Sequence, residues 1–245
     1  MMFDLIKNID IKNTNTWKNK IFLTFDLDWC SDEILEYTLE ILEEYNVKAT
    51  FFVTHNTKLL HKINKNPNFD LGIHPNFNFL LNGNFKYGKN IEEVIKFYLD
   101  IVPDAKYVRS HSLTQSSLIL NFFKNLGLKY SCNTFIPFSS GIEIKPFVLF
   151  NGLIECPHFW EDDIHLIYKW KWEVEKFLNY KGLKIFNFHP IHIFLNTNML
   201  EKYESTKKHI KNYKELKKFV NKTNYGVRYF LMDLICEVNK STVYR

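Results

Sequence analysis

Two aspartates stand two residues apart in TFDLDW, at Asp26 and Asp28. In an extended chain such side chains share a face, so both carboxylates can enter one pocket. One can hold a metal there while the other acts as a base. His74 leaves the apolar run FDLGI (69–73) just before Pro75. With Asp28 it makes two of the three protein ligands usual at a catalytic zinc site. Asn78, four residues beyond His74, is a candidate for the third, and His55 and His111 are the alternatives. In LKIFNFH (183–189), Leu183, Ile185, Asn187 and His189 alternate onto one face. That sets Asn187 and His189 inward, where an imidazole suits general acid chemistry near neutral pH.

Such residues need rigid carriers. IFLTFD (21–26), KATFFVT (48–54), FDLGI (69–73), Ala105–Val108, KYSCN (129–133), GLIECP (152–157) and LKIFNFH (183–189) read as strands. A helix follows Ser31, which can cap it, with Asp32 and Glu33 in the first turn. Others are expected near Ile91–Ile101, Ser116–Leu126, His165–Asn179, Lys207–Val220 and Val227–Val238. Pro75–Lys89 reads as a long loop, residues 135–152 as irregular, and Pro190 as the end of its strand. Strands alternating with helices predict an α/β fold with parallel strands. In such folds chemistry gathers at the carboxyl ends of strands. Here those ends carry Asp26 and Asp28, His55, His74, Arg109 and His111, His158 and Trp160, and His189. Core packing alone does not explain so many polar strand ends.

The chain has 245 residues, 46% of them hydrophobic and 24% charged, which excludes a disordered chain. No apolar run approaches the roughly 18 residues that cross a bilayer. The first residues show no secretory signal. The 4 cysteines are scattered without a C-x-x-C, so a reduced, cytoplasmic protein is expected. A net charge of +5 is too small to argue for nucleic acid. The basic excess gathers at Lys207–Lys222, read as a solvated helix face with weak membrane-surface contact as the functional alternative.

Taken in order, TFDLDW (24–29), LGIHPNFN (71–78), VRSHS (108–112) and NFHPIH (187–192) resemble the polysaccharide deacetylase family, the NodB-homology group of carbohydrate esterase family 4. The resemblance spans about residues 20–195. It implies a distorted, incomplete (β/α) barrel over 20–196, with an N-terminal extension (1–19) and a C-terminal helical segment (197–245) packed on it. It also implies removal of acetyl groups from sugars with a divalent metal, most simply zinc. Asp26 then matches the catalytic base, Arg109 its partner and His189 the acid. Asp28 and His74 match metal ligands, and Asn78 departs from the family by standing where a second histidine is usual; it is the favoured third ligand because a return of four residues can bring it onto the same ion as His74. His111, Ser112 and Trp160 are expected at the substrate, Ser112 through its backbone N–H and Trp160 by stacking on the sugar. The combination is similar to a subgroup found with lipopolysaccharide O-antigen clusters, which implies an N-acetylated sugar or glycan precursor as substrate.

Two alternatives remain at this stage. IFLTFDLDW also resembles the opening strand of haloacid-dehalogenase-type phosphatases, with Asp26 as nucleophile, Asp28 as acid/base and magnesium bound. Against it, Trp29 replaces a small residue and His74, Arg109 and His189 are left without work. The second alternative is a member of the same fold that has lost turnover and only binds a sugar.

Overall fold

A computed structural model describes residues 1–28 and 30–243; Trp29 of the TFDLDW motif lies outside the described residues. Ten strands form the sheet. They are β1 (Met2–Phe3), β2 (Lys20–Asp26), β3 (Ala49–Val53), β4 (Phe69–Ile73), β5 (Tyr107–Val108), β6 (Tyr130–Ser131), β7 (Phe147–Val148), β8 (Ile154–Glu155), β9 (Trp160–Glu161) and β10 (Ile185–Phe188). Their order is β7-β8-β6-β5-β4-β3-β2-β10-β9, with β1 also paired to β2. Every pairing is parallel except β7 with β8. No pairing among the described residues joins β9 to β7, so the curled sheet is an incomplete barrel with helices around it.

β2 and β3 are buried along almost their whole length, as parallel strands covered on both faces must be. Phe25 lies between Phe51 and Phe188, ring centroids 5.2 and 5.8 Å away. Each such buried side chain contributes roughly 2–3 kcal/mol of apolar burial. In β4, Gly72 answers a steric demand: a Cβ there would sit 2.9 Å from the Tyr107 carbonyl oxygen. Glycine thus lets β4 and β5 approach closely.

Helices α1 (Asp32–Glu44), α2 (Leu59–Lys65), α3 (Asn78–Leu81), α4 (Ile91–Ile101) and α5 (Ser117–Asn125) follow the early strands. Ser31 stands at the N-cap of α1, but its hydroxyl makes no capping hydrogen bond. α4 runs as its periodicity predicts, capped by the Asn90 side chain, which accepts from the Glu93 N–H. α2 has no counterpart in the sequence reading, and α3 folds within the stretch expected to be a loop.

The single helix expected over His165–Asn179 is instead two, α6 (Asp162–Ile167) and α7 (Val174–Leu178). Between them Lys169 takes φ 52°. The break returns Trp172 onto His165, with ring centroids 3.7 Å apart. Pro190 does not merely end its strand. It opens α8 (Pro190–Leu195) as the first residue of the helix, where its fixed φ is suited and its missing N–H costs nothing. α9 (Leu200–Thr206) was not expected.

The basic segment also departs from the expected helix. It breaks into short turns at Lys207–His209 and Lys217–Phe219 around α10 (Tyr213–Leu216). Lysines three and four residues apart repel along a helix face, and the Asn212 side chain starts a fresh turn by accepting from the Glu215 N–H. All seven lysines of Lys207–Lys222 are exposed. Replacing Lys208, Lys211 and Lys214 by Gln should therefore move the thermal midpoint by no more than about 3 °C. A fall of about 10 °C in a melting experiment would show that the segment carries stability through these charges.

α11 (Val227–Val243) closes the chain and packs on α8, β1 and α7. Leu5, Ile6, Ile9 and Trp17, ahead of β2, are buried in the same core. No helix among the described residues is long and apolar enough to cross a membrane, and the four cysteines are free.

Candidate active site

Strand register decides which side chains meet. Phe188 pairs with Phe25 across β10 and β2, so the residues that follow, His189 and Asp26, reach the same rim. Ile73 pairs with Val108 across β4 and β5, so His74 and Arg109 leave the sheet together. Their N–H groups donate to Val53 O at 2.9 Å and Ile73 O at 3.2 Å.

Arg109 is fully buried. Its Nη1 donates to Asp26 Oδ1 at 3.1 Å, to Thr24 Oγ1 at 3.0 Å and to Asn187 Oδ1. Its Nε donates to Cys132 O at 3.1 Å, and the guanidinium lies 4.5 Å from the centre of the Phe52 ring. The other Asp26 oxygen accepts from Asn187 Nδ2 at 2.9 Å. Both oxygens of Asp26 are thus fixed in direction. Burial alone would raise the Asp26 pKa, but Arg109, His74 and His189 outweigh it and hold the carboxyl below its ordinary value.

Asp28 points to the same rim. Its Oδ2 lies 3.0 Å from His74 Nε2 and 2.9 Å from His111 Nδ1. Burial works against ionisation here as well, yet His74 and His111 hold Asp28 far below the usual carboxylate range. The donor atoms of Asp28, His74 and His111 lie within 4.8 Å of one another. One carboxylate and two imidazoles converging in this way are a donor set that fits a divalent ion by charge and ligand type. His74 Nδ1 has no hydrogen-bond partner among the described residues and stands 3.7 Å from Asp26 Oδ1. His74 therefore links the two aspartates.

On the other side of Asp26, His189 is clamped by Asp162, the first residue of α6. The His189 N–H donates to Asp162 Oδ2 at 2.7 Å, and its ring Nδ1 lies 2.7 Å from Asp162 Oδ1. Nδ1–H donating to this carboxylate leaves Nε2 as the nitrogen for chemistry. Burial lowers the His189 pKa, but Asp162 and Asp163 raise it well above its ordinary value. The two carboxylates thus favour the protonated ring.

Not every side chain expected at this rim takes the place expected of it. His111, one of the open alternatives to Asn78, joins Asp28 and His74 in a group of converging His and Asp donors. Asn78 begins α3, its N–H is held by Asn76 Oδ1, and its amide donates to Ser112 Oγ at 3.2 Å. His111 has its own N–H held by Pro75 O at 3.0 Å, and the turn after it carries Ser112 and Leu113 in left-handed backbone angles, φ 56° and 52°. His55 makes its contact with Thr54 Oγ1, at 2.7 Å from Nδ1. Trp160 does not face a ligand. It is 0% exposed and stacks on Phe230 at 4.7 Å, deep in the aromatic core. In the short β9 the alternation gave no hint of which face turned inward. His158, also expected at the rim, is buried and held by Glu161 at 3.0 Å.

Sequence reasoning gave no role in this site to Asp162, Asp163, His192 or Thr24, although His192 stands in NFHPIH just beyond the last strand. The pair Asp162–Asp163 at a helix start was visible, but its histidine partners come from β10 and α8, far along the chain.

An open parallel barrel with this rim of Asp, His and Arg defines the class of NodB-type carbohydrate deacetylases. Residues 23–207 match a family model described as WbmS-like polysaccharide deacetylase. A Bordetella bronchiseptica protein, WbmS, assigned as a polysaccharide deacetylase involved in O-antigen biosynthesis, is 38% identical; the match covers 96% of this chain and 97% of that one at a TM-score of 0.90. A Mycobacterium smegmatis structure assigned to the polysaccharide deacetylases is 14% identical, with 92% of each chain covered and a TM-score of 0.46. A Streptomyces lividans family 4 carbohydrate esterase, solved with acetate, is 10% identical over 69% of this chain and 78% of that one, at 0.45. Among curated proteins none matches. The chain belongs to the WbmS-like polysaccharide deacetylase family and is a hydrolase of the class that acts on C–N amide bonds. That membership sets aside the phosphatase reading of Asp26 and Asp28.

Proposed function

We propose that this enzyme removes the acetyl group from an N-acetylated sugar during synthesis of a lipopolysaccharide or another surface-glycan precursor, in the cytoplasm. The observation that carries the chemistry is the pairing of an oriented carboxylate, Asp26, with a charged imidazole, His189, on one rim. The O-antigen assignment of the 38% identical relative supports the choice of substrate.

Asp26, ionised and held by Arg109 and Asn187, takes a proton from the attacking water as the water oxygen bonds to the acetyl carbon. In the turn that follows β5, the N–H groups of Arg109, Ser110, His111, Leu113 and Thr114 are all hydrogen-bonded. The Ser112 N–H makes no hydrogen bond to a described residue, and we assign it to the oxyanion, a contribution of roughly 2.7–4 kcal/mol in comparable sites. His189 gives its Nε2 proton to nitrogen as the C–N bond breaks, releasing acetate and an amine. A divalent ion, most simply zinc, held by Asp28, His74 and His111 would supply Lewis acidity to the acetyl carbonyl and the water.

The substrate is identified by acetate release from a panel of 2-, 3- and 4-acetamido hexoses and their nucleoside-diphosphate esters. Turnover of at least one supports the proposal; turnover of none, with the metal loaded, rejects it. The ligand set has its own test in zinc affinity measured against a competing chelator. Loss of outer-shell partners alone costs about 10–100-fold in metal affinity. His111→Ala, which removes a ligand, should cost more than that, and Asn78→Ala should stay within about threefold. The reverse order would return Asn78 to the site in place of His111.

A further inference from the structure

The four groups Asp162, Asp163, His189 and His192 bring donor atoms within 4.8 Å of one another, yet most of these atoms already serve one another. Both Asp162 oxygens are taken by His189. Asp163 Oδ1 lies 2.6 Å from His192 Nε2, and His192 Nδ1 lies 3.0 Å from Thr197 Oγ1. The carboxylate oxygen left over is Asp163 Oδ2. It makes no hydrogen bond to a described residue and stands 4.0 Å from His189 Nε2. Unlike its neighbour Asp162, whose side chain is 0% exposed, the Asp163 side chain is 26% exposed. A second metal is a poor fit to this cluster, because gathering three donors would mean breaking the His192–Asp163 or the His189–Asp162 contacts.

We propose that Asp163 Oδ2 is an ammonium subsite, receiving the amine that deacetylation sets free beside His189. The argument rests on the reading of His189 as the acid. The scissile nitrogen must come within hydrogen-bond reach of His189 Nε2, and so comes close to Asp163 Oδ2. In the substrate that nitrogen is a neutral amide. Once the C–N bond has broken and the nitrogen has taken the His189 proton, the product is a primary amine. At neutral pH it carries a further proton, and acetate leaves as the anion. The net reaction is amide plus water to ammonium plus acetate, with no proton left over. Positive charge therefore appears at this nitrogen only as the reaction proceeds. A carboxylate already fixed by a buried histidine meets it without reorganising, and a charge-assisted hydrogen bond to it is among the stronger polar contacts. Asp163 thus favours the departing amine over the bound amide.

The bland account of Asp163 is that it fastens α6 to α8 through His192. Product inhibition separates the two. The probes are the amino sugar produced from the substrate identified above and its counterpart with a hydroxyl at the same carbon. In Asp163→Asn, with Asp163→Ser as a second variant should the first not fold, the Ki of the amine should rise about tenfold or more while that of the hydroxyl sugar stays within about twofold. His192→Leu breaks the same fastening but keeps the carboxylate, and should retain the preference for the amine. Equal shifts of the two Ki values in the Asp163 variants, or loss of the preference in His192→Leu as well, would overturn the subsite and leave a structural role. Absence of turnover by the parent enzyme would instead reject the functional reading, and this inference with it.

Discussion

Asp26→Asn is expected to lower deacetylation by roughly 10²–10⁴-fold, the contribution of a positioned general base, while the protein remains folded. Asparagine is the informative substitution because of Arg109. The guanidinium is fully buried and Asp26 is its carboxylate partner. Removing one partner of a buried ion pair costs about 3–5 kcal/mol when the other is left uncompensated. An asparagine oxygen can still accept from Nη1, and Thr24, Asn187 and Cys132 keep their own bonds to Arg109. Alanine keeps none of the Asp26 contact and should fall short in thermal stability as well as in rate. Steady-state rates together with melting curves for both variants check this. Activity of Asp26→Asn within a few-fold of the parent would remove Asp26 from the role of base.

The second large effect concerns His189. His189→Ala should lose roughly 10²–10⁴-fold on an acetamido sugar and only a few-fold on a nitrophenyl acetate. An amine leaves only when protonated, whereas a nitrophenolate leaves unaided. The pH profile follows from the same group. Asp162 and Asp163 raise the pKa of His189 well above the ordinary histidine value of 6.5. The acid therefore stays protonated through neutral pH, and the decline of amide hydrolysis that reports His189 losing its proton should fall on the alkaline side. Equal losses on amide and ester would mean that His189 positions the site instead of donating the proton.

Much of this site was legible because each strand ends where an apolar run meets a polar residue. Asp26, His74, Arg109 and His189 could be placed on one rim before any coordinates, since parallel strands put their carboxyl ends together. α4 was legible from its helical period alone, and its bounds are the expected ones. What remained hidden depends on backbone choices that the residue types do not announce. Ser112 and Leu113 take left-handed angles with no glycine to mark them, in the turn that directly follows His111. Trp160 was misplaced because a two-residue strand has too little alternation to say which face is the core. Asp162 escaped because its partnership with His189 is made across the sheet, between residues with no local pattern in common. The lysine-rich segment kept its exposure but not its helix, since repulsion between its charges competes with the helical period.

The central claim is that this rim hydrolyses the amide of an acetamido sugar, with Asp26 as its base. Its most direct test is the stoichiometry of acetate and primary amine released from an acetamido sugar, followed in parallel for the metal-loaded parent and Asp26→Asn. The account predicts equal release of acetate and amine by the parent and almost none by Asp26→Asn at matched metal content. Sugar binding by the parent without release of either product would contradict it and mark the chain as a binding member of its family.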